Sequence, residues 1–91
     1  MTIMKCTFVS ATEQQEEADL DGIFAEAVNG ALGILAKHAP LIAKLKNNSQ
    51  VRLESAVARK TYTIGDNSFL RFAGNEAVIL TSHFSLTASK N

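Results

Sequence analysis

The sequence predicts an all-β fold, an antiparallel β-sandwich of about ten short strands. Two observations carry this. Apolar and polar residues alternate over short runs, the period-two mark of a strand with one buried face. Turn chemistry then recurs between those runs, at Asn47-Asn48-Ser49, Gly65-Asp66-Asn67 and Gly74-Asn75.

The first run is Ile3 to Val9, with Met4, Cys6 and Phe8 on one face and Ile3, Lys5 and Thr7 on the other. Cys6 is the single cysteine, so no intramolecular disulfide forms and a reducing compartment fits. Its thiol is expected to pack as a small hydrophobe. Residues 12–28 allow two readings. Ser10 with Glu13 has capping-box spacing and Leu20, Phe24 and Val28 recur every fourth residue, as in a helix. The same stretch also divides into two short strands, with Leu20, Gly22 and Phe24 opposed to Asp21, Ile23 and Ala25.

Gly30 and Gly33 are expected to bracket a tight bend. Pro40 biases Ala39 toward extended geometry, so Asn29 to Pro40 reads as a shaped loop with His38 at its apex. Leu41, Ala43 and Leu45 then alternate with Ile42, Lys44 and Lys46, and Val51 and Leu53 give the next strand its inner face. Tyr62–Ile64 and Ser68–Phe72 read as a hairpin around Gly65-Asp66-Asn67, followed by Ala77–Leu80. One domain is expected over residues 1–84, with a polar tail, 85–91, that frays.

Nine basic and nine acidic residues leave no net charge, so the footprint of a nucleic-acid binder is missing. Six of the acids (Glu13, Glu16, Glu17, Asp19, Asp21 and Glu26) fall early, while Lys37, Lys44, Lys46, Arg52, Arg59 and Lys60 make the middle basic. No apolar run reaches the ~18–20 residues of a membrane span, so no direct insertion is expected, and the N-terminus lacks signal-peptide zones. His38, His83 and Cys6 have no metal-ligand spacing. There is no nucleophile elbow and no phosphate loop, so neither metal nor other cofactor is expected.

Gly33-Ile34-Leu35, followed closely by His38-Ala39-Pro40-Leu41, resembles the signature of the N-terminal domain of the F-type ATP synthase epsilon subunit, called delta in mitochondria. Val9-Ser10-Ala11, Val51-Arg52-Leu53 and Val78-Ile79-Leu80 fall where that domain has comparable residues, so the resemblance covers about residues 3 to 84. It implies two strands, not a helix, over residues 12–28. It further implies contact with the polar loops of the membrane c-ring through Gly30, Ala31, Leu32, Gly33, Lys37, His38, Ala39 and Pro40. Contact with the gamma subunit is implied at Ser10, Ile42 and Ala43.

Departures from the pattern lie mostly in turns. Ala31 stands where the family usually has an acid, Ala36-Lys37 and Asn47-Asn48 replace Pro-Gly pairs, and Gly65-Asp66-Asn67 replaces a Gly-Gly pair. Lys37 could replace the lost ionic contact with the sign reversed. The expected function is that of a non-catalytic rotor subunit of a proton- or sodium-translocating ATP synthase, held at the cytoplasmic face of the membrane through the complex. The family's C-terminal helical hairpin is not contained in these residues, so neither ATP binding nor self-inhibition is expected of them. A free-standing protein-interaction sandwich and a small enzyme using His38 are the alternatives.

Overall fold

The structure, a computed structural model, describes residues 3–90. Ten strands follow one another: β1 (Met4–Val9), β2 (Gln14–Leu20), β3 (Gly22–Ala27), β4 (Gly30–Ile34), β5 (Leu41–Lys44), β6 (Gln50–Glu54), β7 (Arg59–Ile64), β8 (Phe69–Ala73), β9 (Glu76–Leu80) and β10 (Phe84–Lys90). They form two five-stranded sheets, ordered β2-β1-β9-β8-β5 and β10-β7-β6-β3-β4. All pairings are antiparallel except β1 with β9, which is parallel. Such a pair needs a long connection, here most of the chain.

Residues 14–27 are two strands because burial follows period two. Ile23, Ala25 and Ala27 are buried, whereas Phe24 is half-buried on the opposite face and Val28 is exposed, so the helical spacing of Leu20, Phe24 and Val28 shares no face. An extra residue in β2 shifts its register between Met4↔Leu20 and Cys6↔Glu17, and Asp19 takes φ 59° within this bulge.

Three expectations are corrected. The β7 and β8 strands do not pair with each other: Gly65–Ser68 carries the chain from the second sheet to the first. Equal alternation on both sides of a turn does not reveal which sheet each arm joins. Gly30 and Gly33 do not bracket a bend but lie within β4, and the turns flank that strand, at Val28-Asn29 and Ala36-Lys37. Residues 84–90 do not fray: they form β10 on β7, although their side chains are mostly exposed. Backbone pairing holds them without a buried face.

The core lies between the sheets. Phe8 of the first stacks on Tyr62 of the second with ring centroids 4.2 Å apart, and Phe84 lies 5.6 Å from Phe8. Beside this stack, Glu17 at the edge of the first sheet accepts hydrogen bonds from Tyr62 Oη and, at 3.0 Å, from Lys60 Nζ, both on β7. The side chain of Glu17 is only 12% exposed, so this pair ties the sheets with little solvent screening.

At one end of the sandwich, buried hydroxyls close the crossings. Thr81 Oγ1 accepts from Gly65 N at 2.9 Å and donates to His83 O at 3.0 Å. Ser68 Oγ lies 2.9 Å from Gly65 O and 2.8 Å from Thr81 Oγ1, either of which can take its proton. A Cβ on Gly65 would come within 2.1 Å of Ser82 Oγ, so any larger residue there would have to displace the side chains of Ser82 and His83.

Two predictions follow from these ties. Ser68→Ala leaves buried acceptor capacity unmet and should destabilise by about 1–3 kcal/mol in urea unfolding, against less than about 0.5 for the exposed Thr87→Ala. The second concerns alkaline pH. Burial, with the Glu17 charge adding to it, pushes the Cys6 thiol from 9.0 up to about 12. Burial, then the hydrogen bond to Glu17, raises the Tyr62 phenol above its usual 10.0. The native chain therefore keeps protons that the unfolded chain releases above 9.0 and 10.0, so stability is full below that range and falls as pH rises through it. Each group should contribute a slope of about 1.4 kcal/mol per pH unit. Urea midpoints measured across this range should fall less steeply for Cys6→Ala, and for Tyr62→Phe above the phenol's usual value.

Candidate functional site

The segment between Ile34 and Leu41 closes the end of the sandwich opposite the hydroxyl network. Lys37 takes φ 70°, which a β-turn tolerates at some cost, and its amide donates to Asn75 Oδ1 at 2.8 Å. Gly74 and Asn75 have φ 58° and 59°, the pair of positive values that a two-residue hairpin turn between β8 and β9 demands. Asn75 thus serves its own turn and anchors the neighbouring loop. The amide of His38 donates to Leu35 O at 3.1 Å. Its Nδ1 sits 2.7 Å from Ala39 O, so Nδ1 carries the proton, since a carbonyl only accepts. The imidazole is exposed and meets the ring of Phe72 edge-on, centroids 6.2 Å apart.

The β4 strand lies at the free edge of the second sheet. Leu32 and Ile34 face the core; Ala31 and Gly33 face outward. Gly33 has a packing reason: a Cβ there would stand 3.3 Å from the ring of Phe24, which lies over the bare backbone. Arg52 covers that ring from above, its guanidinium carbon 4.6 Å from the centroid. Glu54 pairs with Arg52 at 2.8 Å and with Arg59 at 3.2 Å. Phe24, Arg52 and Arg59, with Glu26, Ala31 and Gly33, line a shallow groove of about 550 Å³. Glu26 is the cross-strand partner of Ala31, so an exposed carboxylate stands next to the position where the resemblance expects one.

Ser10, Ile42 and Ala43 are not brought together. Ser10 caps the β1–β2 turn, its Oγ accepting from Glu13 N at 3.1 Å, beside the hydroxyl-network end. Ile42 points outward from β5, separated from β1 by the two strands β9 and β8, and Ala43 faces the core. Between Ser10 and Ile42 lies a surface that sequence reading did not single out. The registers align Val9, Leu80, Phe69 and Lys44 in one row across the outer face of the first sheet, and Thr7, Val78, Arg71 and Ile42 in the next. Ile42 is 76% exposed, Leu80 53% and Phe69 42%. Lys44 Nζ rests 4.9 Å from the centroid of Phe69, and Arg71 lies beside Ile42. The parity of Phe69 and Leu80, opposite to the buried Leu70, Phe72 and Ile79, is the signal that could have found this patch.

Among the described residues no group of three or more His, Cys, Asp or Glu side chains could hold a metal ion, and no helix is long and apolar enough to cross a membrane. What the surface offers is an apolar outer face, a bare sheet edge and an anchored loop.

Comparison with known proteins agrees. Residues 3–86 match the family described as ATP synthase, Delta/Epsilon chain, beta-sandwich domain. The ATP synthase epsilon chain of Chlorobaculum tepidum is 35% identical over 68 residues, which are 74% of this chain and 75% of that one. The chain belongs to the ATP synthase delta/epsilon family, that of a non-catalytic stalk subunit of the complex. The fold recurs in a chain of the Euglena gracilis mitochondrial ATP synthase structure, with TM-score 0.80 at 18% identity over 92% of this chain and 53% of that one. It recurs also in the Tetrahymena thermophila mitochondrial ATP synthase central stalk and c-ring structure, with TM-score 0.71 at 13% identity over 90% and 65%. The chain thus spans between half and two thirds of these structural relatives.

The anchoring of the loop can be measured. Asn75→Gly keeps the positive φ but removes the acceptor for the Lys37 amide, so stability should fall by about 0.5–1.5 kcal/mol. Hydrogen exchange at the Lys37 and His38 amides should accelerate by about tenfold, in line with that loss, while core amides of β8 follow global stability alone.

Proposed function

We propose that this chain is a coupling element of an ATP synthase rotor, joining the gamma subunit to the c-ring and transmitting rotation without chemistry of its own. The observation that carries the reading is the outer face of the first sheet, where Phe69 and Leu80 are exposed cross-strand neighbours and the exposed Ile42 lies one row further on, at the β5 edge. Contiguous exposed apolar residues rimmed by charge mark an interaction surface. We assign this face to gamma, with Ser10 at one end of it and Ile42 at the other; Ala43, on the core side of β5, would be reached only at the strand edge. The partner surface should be apolar at its centre and acidic opposite Lys44 and Arg71.

The c-ring contact falls to the loop tip, Lys37, His38, Ala39 and Pro40, with Gly30, Ala31, Leu32 and Gly33 alongside. Glu26 supports this use of β4, since it supplies a carboxylate beside Ala31 on the same outward face. The domain then sits on the cytoplasmic side, attached to the membrane only through its partners.

Two outcomes test the reading. Leu80→Asp and Phe69→Asp, which leave the core untouched, should each weaken binding to isolated gamma by about tenfold or more, a hot-spot loss. A cysteine at Ile42 should crosslink to gamma in an assembled complex and one at Ala39 to the c-ring. Full affinity in both aspartate variants, with no crosslink from Ile42, would remove gamma from this face.

A further inference from the structure

The sandwich has four edge strands, and three are defended. The β2 strand carries Glu16, Glu17 and Asp19 together with its bulge. The β10 strand carries Lys90 and a register shift between Leu86 and Ala88. The β5 strand follows Pro40, carries Lys44 and has four residues. Charge, proline, bulges and shortness are the devices by which sheet edges avoid pairing with another chain. The β4 strand, Gly-Ala-Leu-Gly-Ile, has none of them: no charge, no proline, and an unbroken register with β3 from Ala27↔Gly30 to Ile23↔Ile34. The following loop does not cover it, because the Lys37 amide is tied to Asn75 at the end of the sandwich. The core is also incompletely closed along this side, where Leu32, Leu41 and Ala43 are only half-buried.

We infer that β4 is a strand-pairing edge whose occupant, for the isolated chain in solution, is β4 of a second copy, antiparallel about a twofold axis at Leu32. The strand is self-complementary in that register. Leu32 meets its own counterpart on the core side, where both copies have half-buried apolar residues to cover. Ile34 faces Gly30, a large residue against the smallest one. On the outer side Ala31 faces Gly33, beside the Phe24 ring that already lies over Gly33. No charged side chain of either strand enters the seam, and Glu26 stands one strand back. The resulting interface is isologous and closes at two copies. The face assigned to gamma plays no part in it, whereas β4 also lies alongside the proposed c-ring contact, so the two uses of this edge exclude one another.

Sedimentation equilibrium of the full chain from about 10 µM to 1 mM should show a monomer–dimer equilibrium. Ala31→Lys places a charge on the outer side of the seam, and Leu32→Lys places one on its inner side. Each should raise the dimer dissociation constant at least tenfold, and circular dichroism should keep the strand signature. Should Leu32→Lys fail to fold, Ala31→Lys decides alone, and amide exchange at residues 31–33 of the unsubstituted chain should slow with concentration. A chain that stays monomeric at the top concentration overturns the inference. So does a dimer that Ala31→Lys leaves intact while Leu80→Asp dissolves it, which would put the contact on the outer face of the first sheet.

Discussion

A chain that changes sheet between β2 and β3, β4 and β5, β5 and β6, β7 and β8, and β9 and β10 must satisfy backbone groups at every corner. The hydroxyls of Ser68 and Thr81 do this for two crossings at once, binding Gly65 to His83 in a site without solvent. The consequences spread through the first sheet. Thr81 ends β9, on which β1 leans in parallel, and Ser68 begins β8, on which β5 leans. If that corner opened, the strands that present the outer apolar face would lose their common register. The corner also explains why small hydroxyl residues interrupt the apolar pattern at positions that are 0% and 8% exposed: they are buried to bond backbone, and an apolar residue there would leave the carbonyls of Gly65 and His83 with their backbone donors alone.

The second sheet solves a different problem. Two glycines, Gly22 and Gly33, leave bare backbone on its outward face, and the ring of Phe24 covers both. Arg52 then covers the ring, and Glu54 holds Arg52 and Arg59 together. Glycine in a strand weakens it, and an aromatic laid across the gap restores contact. The arrangement flattens the surface beside β4, where a bulky side chain would otherwise project.

Strand content and the inward sets were legible because period two does not depend on partners. Met4, Cys6 and Phe8, and again Leu41, Ala43 and Leu45, alternate in the sequence as they do in the fold. Sheet membership was not legible. The turn at Gly65-Asp66-Asn67 has the same residues whether its arms pair or part, and only the distant partners of β7 and β8 decide. Residues 14–27 were ambiguous for a related reason, since good helix formers such as Glu16, Glu17 and Ala18 sit on a mostly exposed edge strand where no burial pattern contradicts a helix. Of the site, the His38 loop was visible through Pro40 and its motif. The face holding Phe69 and Leu80 was not, because three separate strands build it. Asn75 as the anchor of Lys37 depends on a contact 38 residues away in sequence, which no local pattern encodes.

The placement of the loop relative to the outer face bears on how force would pass through the proposed subunit. His38 rests edge-on against Phe72, and Phe72 is the cross-strand partner of Leu41, which follows Pro40 directly. The next residue, Ile42, already belongs to the outer apolar face. A load applied at the loop tip therefore enters the first sheet by two routes, the covalent one through Pro40 and the packed one through Phe72, and both arrive at β5 and β8. The Asn75 hydrogen bond adds a third, through the turn that joins β8 to β9. All three converge on the strands that carry Ile42, Phe69 and Leu80. Pulling the loop against that face shears the hydrogen bonds between β5 and β8 collectively, and a ladder loaded in shear resists as a unit where one loaded by peeling opens bond by bond. The β10 strand with its exposed side chains and the bulged β2 lie at the far edges of the two sheets, outside this path.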